Sequence, residues 1–191
     1  RASLYDLTAD HAPPLAPAGL TIPVPERIEP QGVTLPLTAQ AARAVADALA
    51  SLTPVPRAAA VVLLHAYRDP AHERLLRDAI RERLPDLDVV LSTDVYPEVR
   101  EYERATTTVA EAYLRPGVAH YLQTLRERLA RDATVGRAGV VTSNGGMRSI
   151  DEAAEGAAQL ALSGPAGGVV GAAAVARDLG IDRALTIDIG G

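Results

Sequence analysis

Four short apolar runs, separated by stretches of helical periodicity, constrain this chain more than any other feature. The runs lie at 58–66, 88–92, 138–142 and 184–189. Short continuous apolar runs are typical of strands buried on both faces of a parallel sheet. The alternation of such runs with helical patterns therefore predicts an α/β fold, with at least three of the four runs in one mainly parallel sheet flanked by helices.

Capping and breaking residues set the predicted helix limits. Thr38 is placed as the N-cap of a helix that Pro54 ends, and Asp69-Pro70 starts a second helix. Two further helices cover 107–131, with a break expected at Pro116-Gly117. The patterns that follow predict helices over 150–162 and 165–179, the latter closed by Gly180.

The N-terminal part is rich in proline, with seven between residues 8 and 36. Proline removes a backbone donor, so residues 1–37 are expected to be extended, with edge strands at most. The segments 21–28 and 33–35 could pair around Gly32. The α/β unit is predicted to begin at residue 38 and to run to 186.

Composition excludes several classes of function. The net charge is −5, which argues against a nucleic-acid partner. Every one of the 19 basic residues is arginine, so a Walker A loop and a Schiff-base lysine are excluded. Cysteine is absent, so there is no disulfide framework and no thiolate metal site. The longest small and apolar stretch, 164–176, is too short to span a membrane, and a cytoplasmic location is expected.

The C-terminal end carries the most chemistry. Asp188-Ile189-Gly190-Gly191 follows an apolar run. Glycines at such a position let a turn approach phosphate closely, and the carboxylate can hold a hydrated Mg²⁺, although an ordinary glycine turn has the same sequence. The preceding segment, 163–174, consists almost entirely of small residues. Its glycines indicate close approach of another helix or strand, or tight internal packing.

The succession of motifs resembles the hydantoinase A/oxoprolinase family within the actin-like ATPases. The matching motifs span most of the sequence: Glu26-Arg27-Ile28 with Gly32, Val62 to Tyr67, His72-Glu73, Ser92, Pro97 to Arg104, Thr107 to Val109, Ala112 to Leu114, Ser143 to Gly146, Ser163 to Val170 and Asp188 to Gly191. Ala66, Glu111, Thr142 and Ile189 depart from the residues common in the family. These departures leave the substrate undetermined.

The resemblance implies part of an actin-like (ribonuclease H-like) ATPase domain in an enzyme that uses ATP and Mg²⁺ to open a cyclic amide or imide. Asp188 would contact Mg²⁺ through water, and Gly190 and Gly191 would approach the phosphates as the start, at 187–191, of a second phosphate loop. Gly164, Gly167 and Gly168 would lie on a connecting helix at the interdomain hinge. A hydantoinase B-type subunit or domain is the implied partner. Because the first phosphate loop and the adenosine region are missing, this chain alone is expected to be inactive.

Three weaker candidates have alternatives that stay open. His65, His72 and Glu73 could bind a metal ion or have solvated and capping roles. The segment Ser143-Asn144-Gly145-Gly146 could offer backbone donors to an anion or form a tight turn. Glu101 and Arg104 could act beside the substrate or between domains, or belong to a surface ion-pair network.

A second function fits the same sequence. A non-catalytic α/β scaffold or subunit-docking module would keep the fold without binding ATP. A dinucleotide-binding domain is excluded, because Gly164, Gly167 and Gly168 do not have the spacing of that fingerprint. The sequence leaves open which ring is opened, whether carboxylation replaces hydrolysis, and how many subunits assemble.

Overall fold

The computed structural model describes residues 13–131 and 138–189. Short strands alternate with helices, as expected for an α/β protein. In order, the elements are β1 (Arg27–Glu29), β2 (Gly32–Leu35), α1 (Ala39–Ala50), β3 (Ala58–Val61), α2 (Ala71–Arg83), β4 (Asp88–Leu91), α3 (Ser92–Val95), α4 (Glu101–Ala130), β5 (Gly139–Val141), β6 (Met147–Ser149), α5 (Ile150–Ala154) and α6 (Ser163–Asp178), with 3₁₀ turns at Ala18–Leu20 and Ala157–Leu160.

The core lies where α1 and α2 pack against the parallel pair β3–β4. Strand β3 pairs with β4 from Ala58 opposite Asp88 to Val61 opposite Leu91. Val89 and Leu91 join the apolar residues of α1 and α2, whereas Val90, also buried, alternates to the opposite face, where α4 packs on both strands. Helices therefore cover both faces of this pair, and the α/β class is confirmed.

Helix α1 confirms the capping prediction in detail. It begins after Thr38, whose Oγ1 accepts a hydrogen bond of 3.1 Å from the N–H of Ala41. Asp69 likewise accepts a hydrogen bond of 2.9 Å from the N–H of Ala71 at the start of α2. The pairing around Gly32 is also confirmed, since β1 and β2 are antiparallel. These signals lie close together along the sequence, which is why sequence alone finds them.

The predicted helix break at Pro116-Gly117 is wrong, because α4 continues through both residues for 30 residues in all. Interior proline costs about 3 kcal/mol. Contacts on both sides of Pro116 offset this cost, since α4 packs against β3 and β4 and also against α5 and the turn Ala157–Leu160. Of the described residues, no helix is both long and apolar enough to cross a membrane.

The prediction of three or more strands in one parallel sheet is also wrong. The described strands form three separate pairs, of which β3–β4 is parallel and β1–β2 and β5–β6 are antiparallel. The run 138–142 forms β5, but it pairs with its own neighbour β6 through a tight turn. The run 184–189 is extended without being a strand, because no described segment lies beside it to share hydrogen bonds.

The region after the β5–β6 hairpin consists of two short elements that pack on α4, followed by an exposed helix. The predicted helix 150–162 is divided into α5 and the turn Ala157–Leu160. A capping box at Ser149 and Glu152 starts α5. The side-chain hydrogen bond from Ser149, reinforced by a backbone bond from the same residue, lowers the pKa of the Glu152 carboxyl. Helix α6, closed by Gly180 in the left-handed region, buries none of its residues.

Candidate functional site

A buried carboxylate organises the carboxyl ends of β3 and β4, where ligands bind in many α/β proteins. Glu73, on the first turn of α2, is fully buried. Its Oε1 accepts hydrogen bonds from the N–H of Leu63 at 3.0 Å and from the Ser92 hydroxyl at 2.6 Å. Its Oε2 accepts from the N–H and the hydroxyl of Thr93, at 3.1 and 3.0 Å. The segments that follow both strands, the loop after β3 and the start of α3, are therefore tied to one side chain.

A buried cation lies on the opposite side of Leu63. Arg104, in the first turn of α4, is fully buried, and its Nη2 donates to the carbonyl of Leu63 at 2.7 Å. Its Nη1 donates to the carbonyl of Glu98 at 3.2 Å, and its Nε is buried without a partner. Among the described residues, no carboxylate lies within ion-pair distance of this guanidinium. Glu73 and Arg104 thus share the backbone of Leu63 and do not pair directly.

Two aromatic side chains extend this cluster toward solvent. The guanidinium carbon of Arg104 lies 5.5 Å from the centroid of the Tyr67 ring, within the range of a cation–π contact. The Tyr67 hydroxyl is 3.2 Å from Nδ1 of His65, and the two rings meet edge to face with centroids 5.8 Å apart. Both rings are half-buried. Arg104, Tyr67 and His65 therefore form a line from the core to the surface, hereafter the Arg–Tyr–His line.

Backbone strain marks the outer end of that line. His65 has φ 57°, in the left-handed region, as does Arg100 with φ 67° just before α4. This conformation costs a residue with a side chain about 1–2 kcal/mol, although histidine adopts it more often than most. Strain of this kind persists where surrounding contacts fix the geometry, and it concentrates at functional sites.

The metal alternative for His65, His72 and Glu73 finds no support in the described residues. His72 is buried between two partners: Nδ1 is 2.7 Å from Oε2 of Glu26, and Nε2 accepts from the N–H of Leu37 at 3.2 Å. Both of its ring nitrogens are used in fastening the N-terminal segment to α2. No three potential metal ligands cluster within residues 13–131 and 138–189. Glu73 therefore has a capping role, and His72 has a structural role, since it joins the N-terminal segment to α2.

The segment Ser143 to Gly146 forms the tight turn of the β5–β6 hairpin. Gly145 has φ 80°, and the N–H groups of Ser143, Gly145 and Gly146 donate to Gln159, Thr142 and Asn144 within the protein. Those three donors are engaged and do not point to a bound anion. The proposed anion role is thus weakened in favour of the turn.

The nucleotide candidates lie on α6 and on the extended segment that follows it. Gly164 and Gly168 have open space where a side chain would stand, whereas a Cβ added at Gly167 would lie 3.6 Å from the Val141 side chain of β5. The expected close approach along α6 is therefore seen at Gly167 alone among these three. Asp188 is exposed on the extended segment, and Gly190 and Gly191 lie outside the described residues.

This donor set does not by itself fit a bound Mg²⁺–ATP. Asp188 supplies one carboxylate, and the described residues contain no cluster of three metal-ligating side chains. One carboxylate suits contact with hydrated Mg²⁺, which keeps several waters and needs few protein ligands. Asp188 is consistent with that indirect role, and the other groups of a nucleotide site are not among the described residues.

Sequence reasoning left Glu101 and Arg104 either beside the substrate or between domains, or in a surface ion-pair network, and it gave Tyr67 no role. Glu101 is half-buried at the start of α4, and the exposed pair Arg100–Glu103, 3.5 Å apart, matches the surface alternative. Arg104 differs because it stands in helical register with buried Thr108 and Glu111. That spacing of four and seven residues was the available signal that the guanidinium points inward.

Two family models match the sequence on either side of this site. The hydantoinase/oxoprolinase N-terminal region matches residues 1–84, and the hydantoinase/oxoprolinase model matches residues 104–191. The chain belongs to the hydantoinase/oxoprolinase family. The first segment contains His65, Tyr67 and Glu73, and the second begins at Arg104, so the buried cluster joins the two matched regions of the family fold.

Relatives from the same family are similar to this chain over nearly its whole length. Caprolactamase subunit alpha of Pseudomonas jessenii is 32% identical over 98% of the chain, and the acetone carboxylase beta subunit of Xanthobacter autotrophicus is 33% identical over 96%. The chain spans 27% and 26% of these two proteins, respectively. It therefore corresponds to about a quarter of a larger family member.

Two solved structures share the fold. The crystal structure of the ATP-dependent caprolactamase from Pseudomonas jessenii matches 98% of the chain with a TM-score of 0.76 and 29% identity, and the match covers 27% of the caprolactamase chain. A nucleotide-free acetone carboxylase structure, from work on ATP-dependent acetone carboxylation, matches 81% with a TM-score of 0.69 and 31% identity, and the match covers 22% of that protein. The family fold predicted from the motifs is thus confirmed.

Proposed function

We propose that this chain forms part of an ATP-dependent enzyme that opens a cyclic amide or imide. The observation that carries the proposal is the match of 98% of the chain to the solved structure of an ATP-dependent caprolactamase. Caprolactam is a cyclic amide, so the reaction class inferred from the motifs agrees with this relative. The chain alone is proposed to be inactive.

The proposed roles of the candidate residues follow from the family resemblance. ATP would supply the phosphoryl group that activates the amide oxygen, with Mg²⁺ neutralising phosphate charge. Asp188 would contact hydrated Mg²⁺, and Gly190 and Gly191 would turn close to the phosphates. Helix α6 would lie beside the hinge, which is supported by its lack of buried residues in the described part of the protein.

A partner subunit is part of this proposal. Caprolactamase subunit alpha, the acetone carboxylase beta subunit and the acetophenone carboxylase gamma subunit are named as subunits. We infer a hydantoinase B-type partner, either separate or fused, and a cytoplasmic location. The second candidate, a non-catalytic docking module, is favoured by the exposed apolar residues at the C-terminal end, which include Val169, Val175 and Leu179 at 58%, 58% and 68% exposure.

Substrate-dependent ATP hydrolysis tests the proposal. The longer protein that contains this chain would be assayed with hydantoin, oxoproline, caprolactam and acetone, with and without bicarbonate. Stimulation by a cyclic amide without bicarbonate supports ring opening. Stimulation by acetone that requires bicarbonate indicates carboxylation, and the absence of any ATP hydrolysis favours the docking module.

Calorimetry with Mg·ATP separates the chain from the longer protein. We expect no binding to the 191-residue chain at micromolar concentrations, because one exposed carboxylate cannot hold a triphosphate. A clear isotherm would contradict this expectation and would show that the 191-residue chain holds a nucleotide site of its own.

A further inference from the structure

The outward side of helix α4 carries neither acidic residues nor arginine along most of its length. Between residues 105 and 125 the only acidic residue is Glu111 and the only arginine is Arg115. Both lie on the inner side of the helix, since Glu111 is buried and accepts hydrogen bonds from the start of the turn Ala157–Leu160, and the Nε of Arg115 lies 2.9 Å from its carboxylate. A helix that faces solvent normally carries charged residues on its exposed side. The outward side of α4 therefore has the composition of a surface that is covered.

Three exposed tyrosines stand on this outward side. Tyr102, Tyr113 and Tyr121 are 78%, 66% and 64% exposed, and they are half of the six tyrosines in the chain. Tyr102 and Tyr113 are about three helical turns apart, so they lie on the same side of the helix. Tyrosine is enriched, and charge is depleted, at the core of protein interfaces. We call this surface the tyrosine face; it consists of Tyr102, Thr106, Tyr113, Gly117, Tyr121 and Thr124.

The hydroxyl groups of the two threonines on this face are satisfied by the helix itself. The Thr106 hydroxyl donates to the carbonyl of Tyr102 at 2.9 Å, and the Thr124 hydroxyl donates to the carbonyl of His120 at 3.0 Å. Such bonds to the preceding turn engage the only hydrogen of each hydroxyl. Another element can therefore cover both threonines without leaving a buried donor unpaired, which would be costly.

A notch interrupts the row of tyrosines. Tyr113, Gly117 and Tyr121 follow one another at four-residue spacing and form one ridge of the helix. A Cβ added at Gly117 would meet no heavy atom of the described residues within 4 Å. Glycine inside a helix is unfavourable relative to alanine, and no contact within the described part of the chain offsets this cost. A large side chain from a facing helix, placed between the two tyrosine rings, would offset it.

We propose that a helix of the same polypeptide, from the part of the longer protein outside these 191 residues, covers the tyrosine face with an uncharged side and places a large apolar side chain over Gly117. The chain spans 27% and 26% of the caprolactamase and acetone carboxylase subunits, so most of the longer polypeptide is available for this role. The inference holds whichever reaction the longer protein catalyses.

The size of the face favours a covalently attached helix over a separate molecule. The face is about 30 Å long and about 10 Å wide, which gives an area on the order of 300 Å². A stable interface between separate molecules buries about 800 Å² on each partner. A segment of the same polypeptide needs less area, because its effective concentration is high.

Hydroxyl-radical footprinting of the longer protein tests whether the face is covered. Modification of Tyr113 and Tyr121 is read by mass spectrometry, and the same protein in urea is the reference for full exposure. We expect both tyrosines to react about five- to tenfold more slowly in the native protein, because burial removes most of their exposed fractions of 66% and 64%. Native rates equal to the rates in urea would overturn the proposal.

Three comparisons identify what covers the face. The longer polypeptide is measured without any other subunit, at low and at high protein concentration, and unchanged protection supports a helix of the same polypeptide. Protection that requires high concentration assigns the face to a second copy, and protection that requires an added subunit assigns it to that subunit. Protection already present in the 191-residue chain, with its helices verified by circular dichroism, assigns the cover to this chain. Each of these three results would overturn the proposal.

Gly117→Ala gives a test that depends on the sign of the effect. On an open helix alanine is more favourable than glycine, so the urea midpoint of the 191-residue chain should rise by about 0.4 M. Under a closely packed helix the added methyl group meets the covering side chain, so the midpoint of the longer protein should fall, and this fall is the deciding result. Gln123→Ala, at an exposed position outside the tyrosine face, is the control and should shift neither midpoint as far. A rise in the longer protein would overturn the proposal.

Discussion

Replacement of Glu73 by glutamine should destabilise the protein far more than its small chemical change suggests. The carboxylate has two oxygens, and each accepts two hydrogen bonds in a fully buried site. Glutamine keeps one accepting oxygen and places an NH₂ group against two donors. Whichever way the amide is turned, two hydrogen bonds lose their charged acceptor: one backbone N–H faces the NH₂ group directly, and the hydroxyl on that side must turn to accept instead of donate.

The expected cost follows from those two bonds. A hydrogen bond to a charged group contributes about 1.5–3 kcal/mol, so loss of both costs about 3–6 kcal/mol. With a urea slope of about 2 kcal/mol/M, the midpoint should fall by about 1.5–3 M. Ser92→Ala removes one donor to the same carboxylate, at 2.6 Å, and should cost about half as much.

Urea unfolding followed by circular dichroism measures both variants. Glu82→Gln is the matched control, because Glu82 is exposed on the same helix and should change stability by less than about 0.5 kcal/mol. If Glu73→Gln stays within that range, the carboxylate does not hold the two loops, and the interpretation of the site as an organised cluster is refuted.

Two further outcomes concern the C-terminal region. Gly168→Leu should leave the stability of this chain unchanged or raise it by about 0.5–1 kcal/mol, because the site is open and glycine disfavours the helix. The ATP turnover of the longer enzyme is expected to fall. A lower melting temperature of the 191-residue protein would contradict the stability prediction. Ser149→Ala should raise the pKa of Glu152 toward its ordinary value in a carboxyl NMR titration. Because the pKa of Glu152 is lower in the folded protein, the wild-type cap stabilises the folded state at pH values above the pKa of the unfolded chain. This stabilisation is lost as the pH falls through the pKa of the folded state. Ser149→Ala should abolish this pH dependence of stability.

Sequence predicted those parts of the fold that rest on nearby residues. The cap at Thr38 and the buried strands β3 and β4 depend on local patterns and were found. The run 184–189 has the same apolar character but stays unpaired, with Leu185 and Ile189 at 88% and 91% exposure. A strand requires a neighbour, and a periodic pattern does not say whether one lies beside it.

The candidate site was predicted less well, for a different reason. The motif containing Arg104 was found, but the sequence left a surface ion-pair network open beside a substrate-side or interdomain role, because arginine is rarely buried and a charged run gives no sign of which member lies inside. The asparagine and glycine at 144 and 145 are a strong signal for a hairpin turn. The sequence left this turn and an anion-binding role open, and the structure supports the turn. The alignment of His65 on Tyr67 depends on a contact with a helix far along the sequence, which no local pattern encodes.

The link from Glu73 through the backbone of Leu63 to Arg104 has a fixed direction, which an ordinary salt bridge lacks. Two charged side groups that meet directly can exchange places and still attract each other. Here the acid contacts a backbone N–H and the base contacts a backbone carbonyl, and these groups cannot be exchanged. The double variant Glu73→Arg with Arg104→Glu would therefore place a donor against the N–H of Leu63 and an acceptor against its carbonyl. The direction of the backbone at Leu63 therefore fixes that α2 carries the acid and α4 the base. The side chain at position 63 takes no part in these hydrogen bonds and is constrained only by core packing.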